Sequence, residues 1–181
     1  MVGMSFVGFV STTKAQTWVA GQNVILNIQD YALIATNNAS VSMNLTSSTA
    51  GAQVSEVTNS NLYVKISSIV PGNTKRQITA HISTGSVPTP TTLTLLPASC
   101  TTTNSGGILG TPVSSAITLN STDQVLVNGV GNCYTGTNSS DGYKMTFTWK
   151  LLNPSGTYQQ LASGSYNITV VFTLTDHDGN N

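Results

Sequence analysis

The chain has very little charge. Twelve of its 181 residues are Asp, Glu, Lys or Arg, six of each sign, and the formal net charge is zero. A chain with no basic surplus lacks the electrostatic footprint that nucleic acid or anionic lipid would select. It also lacks the self-repulsion that keeps concentrated proteins apart, which suits a molecule that assembles or sits on a surface. Histidine is equally scarce, with His81 on the polar phase of an apparent strand and His177 near the end. Serine is so abundant that a Ser near a His carries no information, so no nucleophile–base–acid set is visible. The carboxylates Asp30, Glu56, Asp123, Asp141, Asp176 and Asp178 include several beside turn residues, where Asp serves turns and caps. They form no recognisable pair for glycoside hydrolysis. The expectation is a protein that is not an enzyme and needs no cofactor.

Metal ligands are also few. The stretch Asp176-His177-Asp178-Gly179-Asn180 opens like a calcium loop. It lacks the later oxygen ligands and distal Glu of such a loop, so it reads as a solvated tail. Neither Cys100 nor Cys133 has a second Cys or His at zinc-ligand spacing. An even cysteine count in an exported chain predicts one disulfide between them. It would close a loop of 34 residues, stabilising the fold by roughly 3–4 kcal/mol in the chain-entropy model.

Long apolar runs are missing too. None approaches the ~20 residues of a membrane-spanning helix. Met1–Val10 is a short apolar run followed by Ser11-Thr12-Thr13-Lys14-Ala15. It reads as the hydrophobic stretch and cleavage site of a secretory signal. Residues 1–15 are therefore expected to be a signal segment, and 16–181 a single domain in the extracellular space or on the cell surface.

What the chain does have is Thr, Ser and Asn, 28, 22 and 17 residues respectively. Thr favours strands, while Ser and Asn favour turns. The apolar residues recur at every second position: Val24, Leu26, Ile28; Val41, Met43, Leu45; Leu62, Val64, Ile66; Ile78, Ala80, Ile82; Leu93, Leu95; Ile117, Leu119; Met145, Phe147, Trp149, Leu151; and Ile168, Val170, Phe172, Leu174. This is the period of half-buried strands. Turn residues separate the runs, as at Pro71-Gly72-Asn73, Asp141-Gly142 and Asn153-Pro154-Ser155-Gly156. In Val125-Leu126-Val127-Asn128-Gly129-Val130, the Asn-Gly pair predicts a tight hairpin turn. Residues 46–60 suggest a short helix or a long loop, and 100–110 an irregular loop. The expected fold is all-β: an antiparallel β-sandwich of about 7–9 strands, immunoglobulin-like or pilin-like in layout, with a closed barrel as the other solution. Trp149 comes after both cysteines, which departs from the spacing of a true immunoglobulin domain.

Two surfaces are candidates for function. Val24, Leu26, Ile28, Tyr31 and Leu33 form an alternating apolar segment near the mature N-terminus. It could be donated to a neighbour's sheet edge, or serve as the first strand of its own sandwich. Tyr63 and Tyr134 fall off the apolar phase or in a loop, and could stack on a sugar. Trp149 shares the phase of Met145 and Phe147 and reads as core. The five Asn-x-Ser/Thr sequons, at Asn38, Asn44, Asn120, Asn138 and Asn167, are as many as this composition produces by chance.

Two stretches carry a resemblance. Val127-Asn128-Gly129-Val130-Gly131-Asn132-Cys133-Tyr134-Thr135-Gly136-Thr137, with Tyr143-Lys144-Met145-Thr146-Phe147 after it, is similar to a segment of secreted two-cysteine β-domain proteins of Bacteroidota. Gly164-Ser165-Tyr166-Asn167-Ile168-Thr169-Val170-Val171-Phe172-Thr173-Leu174-Thr175 resembles the closing strand of pilin and spore-coat-U-like surface domains. The resemblance implies an exported surface domain, with a fibre subunit as the expected role. The expected partner is then another copy or another surface protein. A glycan is the alternative, and no nucleic acid is expected.

Overall fold

Most of the alternating runs become antiparallel strands in the computed structural model, which describes residues 18–37, 40–101 and 103–177. The expected signal segment, the Asn38 sequon and the tail beyond His177 lie outside the described residues. The described residues form eleven strands: β1 (Tyr31–Thr36), β2 (Val57–Ile69), β3 (Lys75–Thr84), β4 (Thr91–Pro97), β5 (Gly106–Gly107), β6 (Thr111–Pro112), β7 (Ile117–Thr118), β8 (Gln124–Val130), β9 (Cys133–Tyr134), β10 (Tyr143–Leu151) and β11 (Thr169–His177). Four of these are two residues long. A single helical turn, Pro154–Thr157, and a 3-10 turn, Tyr158–Gln160, lie between β10 and β11.

The strands form two sheets. One has seven strands, with the bonded order β5-β9-β2-β10-β4-β7 and β1 paired to β2. The other has four, in the order β11-β3-β8-β6. Every strand pair is antiparallel. The chain is thus the all-β sandwich that its periodicity predicts. Leu62, Val64 and Ile66 of β2, Ile78, Ala80 and Ile82 of β3, Leu93 and Leu95 of β4, Leu126, Val127 and Val130 of β8, and Tyr143, Met145 and Phe147 of β10 form one buried cluster between the sheets. Trp149 packs against that cluster and donates from Nε1 to the Thr91 hydroxyl at 2.8 Å.

Three local expectations change. Asn128-Gly129 is not a hairpin turn, because both residues lie inside β8. Arg76 pairs with Val130 and Ile78 with Val127, so β8 carries an extra residue between those pairs. Gly129, at φ 76°, supplies the left-handed conformation of such a bulge. Val41, Met43 and Leu45 keep the strand period in their burial but join no ladder. Their segment lies beside β2 through side-chain and loop bonds, such as Asn59 Nδ2 to the Ser42 carbonyl at 3.2 Å. Residues 46–56 are a loop, and β2 begins at Val57.

Candidate assembly surface

A strand needs a partner for its backbone as well as a face for its side chains. Among the described residues, the N-terminal segment finds neither. Residues 18–30 precede β1, belong to no ladder, and are exposed throughout. Val24, Leu26 and Ile28 are 70 %, 87 % and 88 % exposed, and Trp18, Val19 and Ile25 are comparably open. The period of two persists, but nothing covers its apolar phase. Tyr31 and Leu33, the other two candidate donor residues, lie instead in β1, where they pair with Ile69 and Ser67 of β2. The candidate segment is therefore split: its first part is a protruding arm and its second part is a strand of the domain's own sheet.

Arg76 marks the boundary. It sits at the start of β3, and its side chain is almost fully buried. Its guanidinium donates to the Asp30 carboxylate at 2.6 Å and to the Asp176 carboxylate at 2.8 Å. It also donates to the Tyr31 carbonyl at 2.7 Å, the Ser68 hydroxyl at 2.8 Å and the Ile69 carbonyl at 3.0 Å. One side chain thus ties together the end of the arm, the first residue of β1, the end of β2 and the end of β11. Burial works against its charge. The bonds to Asp30 and Asp176 outweigh that effect and raise its pKa.

β1 borders the seven-stranded sheet. The Ile66 carbonyl accepts from the Thr135 amide, whereas the Tyr63 carbonyl accepts from Asn37. Residues an odd number apart point their backbone groups to opposite edges of a strand, so β1 lies across β2 from β9. The end strand of the other sheet, β11, approaches β1 at the Arg76 junction. Its inward residues Val170, Phe172 and Leu174 are half-buried, although their partners Ile82, Ala80 and Ile78 on β3 are buried.

The two tyrosines share a face. Tyr134 pairs with Ser67, and Tyr63 lies four residues from Ser67 on the same outward phase of β2. At ~3.3 Å per residue, their positions are roughly 13 Å apart along the strand. Tyr134 is 56 % exposed and lies over Gly106, where an added Cβ would come within 2.9 Å of the phenol oxygen. Tyr63 is half-buried.

Cys133 is buried in the core cluster and Cys100 packs against it. Cys100 is close enough to act on the Cys133 thiol, yet the structure contains no disulfide between them. Burial, reinforced by Cys100, pushes the Cys133 thiol up to about 11. Burial also raises the Tyr143 phenol, with Cys133 and Cys100 adding to the effect. That hydroxyl donates to the Leu109 carbonyl.

His81 makes the contact closest in kind to catalytic machinery, with Nδ1 2.8 Å from the Asp123 carboxylate. The Thr79 hydroxyl donates to the same carboxylate oxygen at 3.3 Å. Hydroxyl and imidazole both bind the acid rather than each other, which is not a nucleophile–base arrangement. Asp141 is buried and accepts from the Asn138 amide at 2.8 Å and from Asn104 at 3.3 Å, a loop-closing role. Among the described residues, no group of three or more His, Cys, Asp or Glu could hold a metal ion. Asp176 and His177 belong to β11 rather than to a tail.

The arm was legible in the sequence as an alternating apolar run. Its lack of a partner was not, and neither was the Arg76 junction, whose carboxylates lie 46 and 100 residues away in sequence. Compared with family models, curated proteins and solved structures, the chain matches none of them.

Proposed function

We propose that this chain is an exported, non-enzymatic structural protein that assembles into fibres by adding a strand from one copy to the sheet of another. The observation that carries this reading is the arm, an alternating apolar segment that joins no ladder among the described residues and whose apolar phase is exposed. Burying one Val, Leu or Ile side chain of this kind stabilises an interface by roughly 1.5–3 kcal/mol before ordering costs. The near absence of charge supports the same reading, because no net repulsion opposes contact between copies. Sedimentation velocity and electron microscopy of residues 16–181 test it. The expected result is filaments that grow with concentration and vanish in a Val24→Asp, Leu26→Asp, Ile28→Asp variant whose melting temperature is unchanged. Monodisperse monomer at every concentration would overturn the reading.

In an exported setting the two neighbouring cysteines are read as a disulfide pair. Intact mass measured before and after reduction should then differ by two hydrogens. A second reading, a glycan-binding face, draws on the exposed ring of Tyr134 and the shared outward phase of Tyr63. Tyr134→Ala and Tyr63→Ala would then abolish retention on an immobilised glycan without changing oligomer size.

A further inference from the structure

We propose that the acceptor for the arm is the free edge of β11, and that its occupant is residues 23–29 of a second copy of this chain. The proposal rests on the strand-addition reading above and names the surface that it uses.

The sandwich has few edges long enough to accept a strand. β5, β6 and β7 are two residues each. β1 offers six residues, but its inward row is Ala32, Ile34 and Thr36, with one large apolar side chain among them. β11 offers nine residues. Thr169–Thr175 contains no charged residue and no proline. Edge strands in stable monomers are usually protected by one of these, by shortness, or by a covering element. Among the described residues, no strand pairs with the second edge of β11.

The backbone on that edge is set by the register. Ile82 gives its amide to the Asn120 carbonyl, which turns its backbone groups away from β11. The β11–β3 register runs without a shift from Val170–Ile82 to His177–Lys75. By alternation, Val171, Thr173 and Thr175 bond to β3, while Val170, Phe172 and Leu174 point their amides and carbonyls to the free edge. Those three residues also carry the half-buried apolar side chains. The edge thus offers backbone groups that no described strand takes, and an incompletely covered apolar row at the same positions.

The arm is the matching piece. Residues 23–29 are uncharged, alternate in the same way, and equal Thr169–Thr175 in length. Val24, Leu26 and Ile28 would extend the row formed by Val170, Phe172 and Leu174. Closure within one chain meets a geometric obstacle. The arm reaches Tyr31 at the Arg76 junction, where β11 also arrives at Asp176, so self-pairing would have to be parallel. A second copy is free of that constraint. Donor and acceptor are different surfaces, so the contact is head-to-tail and propagates into an open filament.

Photo-crosslinking from p-benzoylphenylalanine placed at Leu26 of the full chain tests this, with isotopically light and heavy chains mixed. The expected products are light–heavy crosslinks to Thr169–Thr175 that increase with concentration. They should disappear in Leu174→Pro, which removes an amide facing the free edge; if that variant fails to fold, the crosslink map alone decides. Light–heavy crosslinks that map to β1 or elsewhere would overturn the acceptor while leaving strand addition intact. Crosslinks to β11 within one chain would overturn the second copy as occupant. Absence of both crosslinks and assembly would remove the strand-addition reading with it.

Discussion

Residues 23–29 and 169–175 are nearly the same kind of segment: seven uncharged residues, apolar at alternate positions with one further apolar residue, Ile25 or Val171, off that phase. One is an exposed arm; the other is a strand paired along β3. The difference lies in what each finds beside it. β11 meets an edge of β3 whose inward partners Ile78, Ala80 and Ile82 are already buried by the opposite sheet. The arm meets no edge in its own domain. Alternation therefore specifies a strand-competent segment, and only a free edge turns it into a strand.

The boundary between the two states should be the most sensitive point. Replacing Arg76 by Ala removes the partner of two carboxylates, a hydroxyl and two carbonyls at once. A loss of about 3 kcal/mol is expected, because the buried Ser68 hydroxyl and two carbonyls lose their donor while the half-exposed carboxylates return to water. It would be read as a lower urea midpoint at an unchanged m-value. If stability barely moves, Arg76 does not hold β1 and β11 together, and the line between arm and domain lies elsewhere.

A matched pair of leucines sharpens the contrast. Leu126→Ala, at a fully buried site, should cost about 3 kcal/mol through lost transfer energy and a cavity. Leu26→Ala, in the arm, should change monomer stability by less than about 0.5 kcal/mol. Equal costs would mean that the arm packs on its own domain.

Alkaline pH probes the core side of the comparison. Cys133 is pushed up to about 11 from its ordinary value of 9.0, and Tyr143 is raised above its own. Both hold their protons more tightly in the folded chain than in the unfolded one. Their contribution is complete below the unfolded values and is lost as pH rises through the folded ones. With both cysteines kept reduced, stability should be level up to about pH 9 and then fall, with the thiol supplying on the order of 2 kcal/mol. Cys133→Ala should remove the part between pH 9 and about 11 and leave the later fall from Tyr143. A curve of the reduced wild-type protein that stays flat to pH 11 would contradict the burial of this thiol and phenol.

The sandwich itself was legible because most of its strands obey one rule. In β2, β3, β4 and β10 the apolar phase read from the sequence is the phase that is buried. Legibility failed where tertiary context changed a local signal. Asn-Gly accepts positive φ equally in a turn and in a bulge, and the pairing of β8 with β3 on both sides decided for the bulge. The two-residue strands β5, β6, β7 and β9 are too short to show a period. Val41, Met43 and Leu45 have the period without the ladder. Periodicity reports side-chain burial, and ladder membership depends on a neighbour that the local sequence does not contain.

Amide hydrogen exchange as a function of protein concentration tests the central claim most directly. In dilute solution, the amides of residues 23–29 and of Val170, Phe172 and Leu174 should exchange at rates close to those of an open chain. As concentration rises, both groups should become protected together, while Val171 and Thr173 stay protected throughout. Arm amides that remain unprotected in assembled material, or that are protected equally at every concentration, would contradict strand addition between copies.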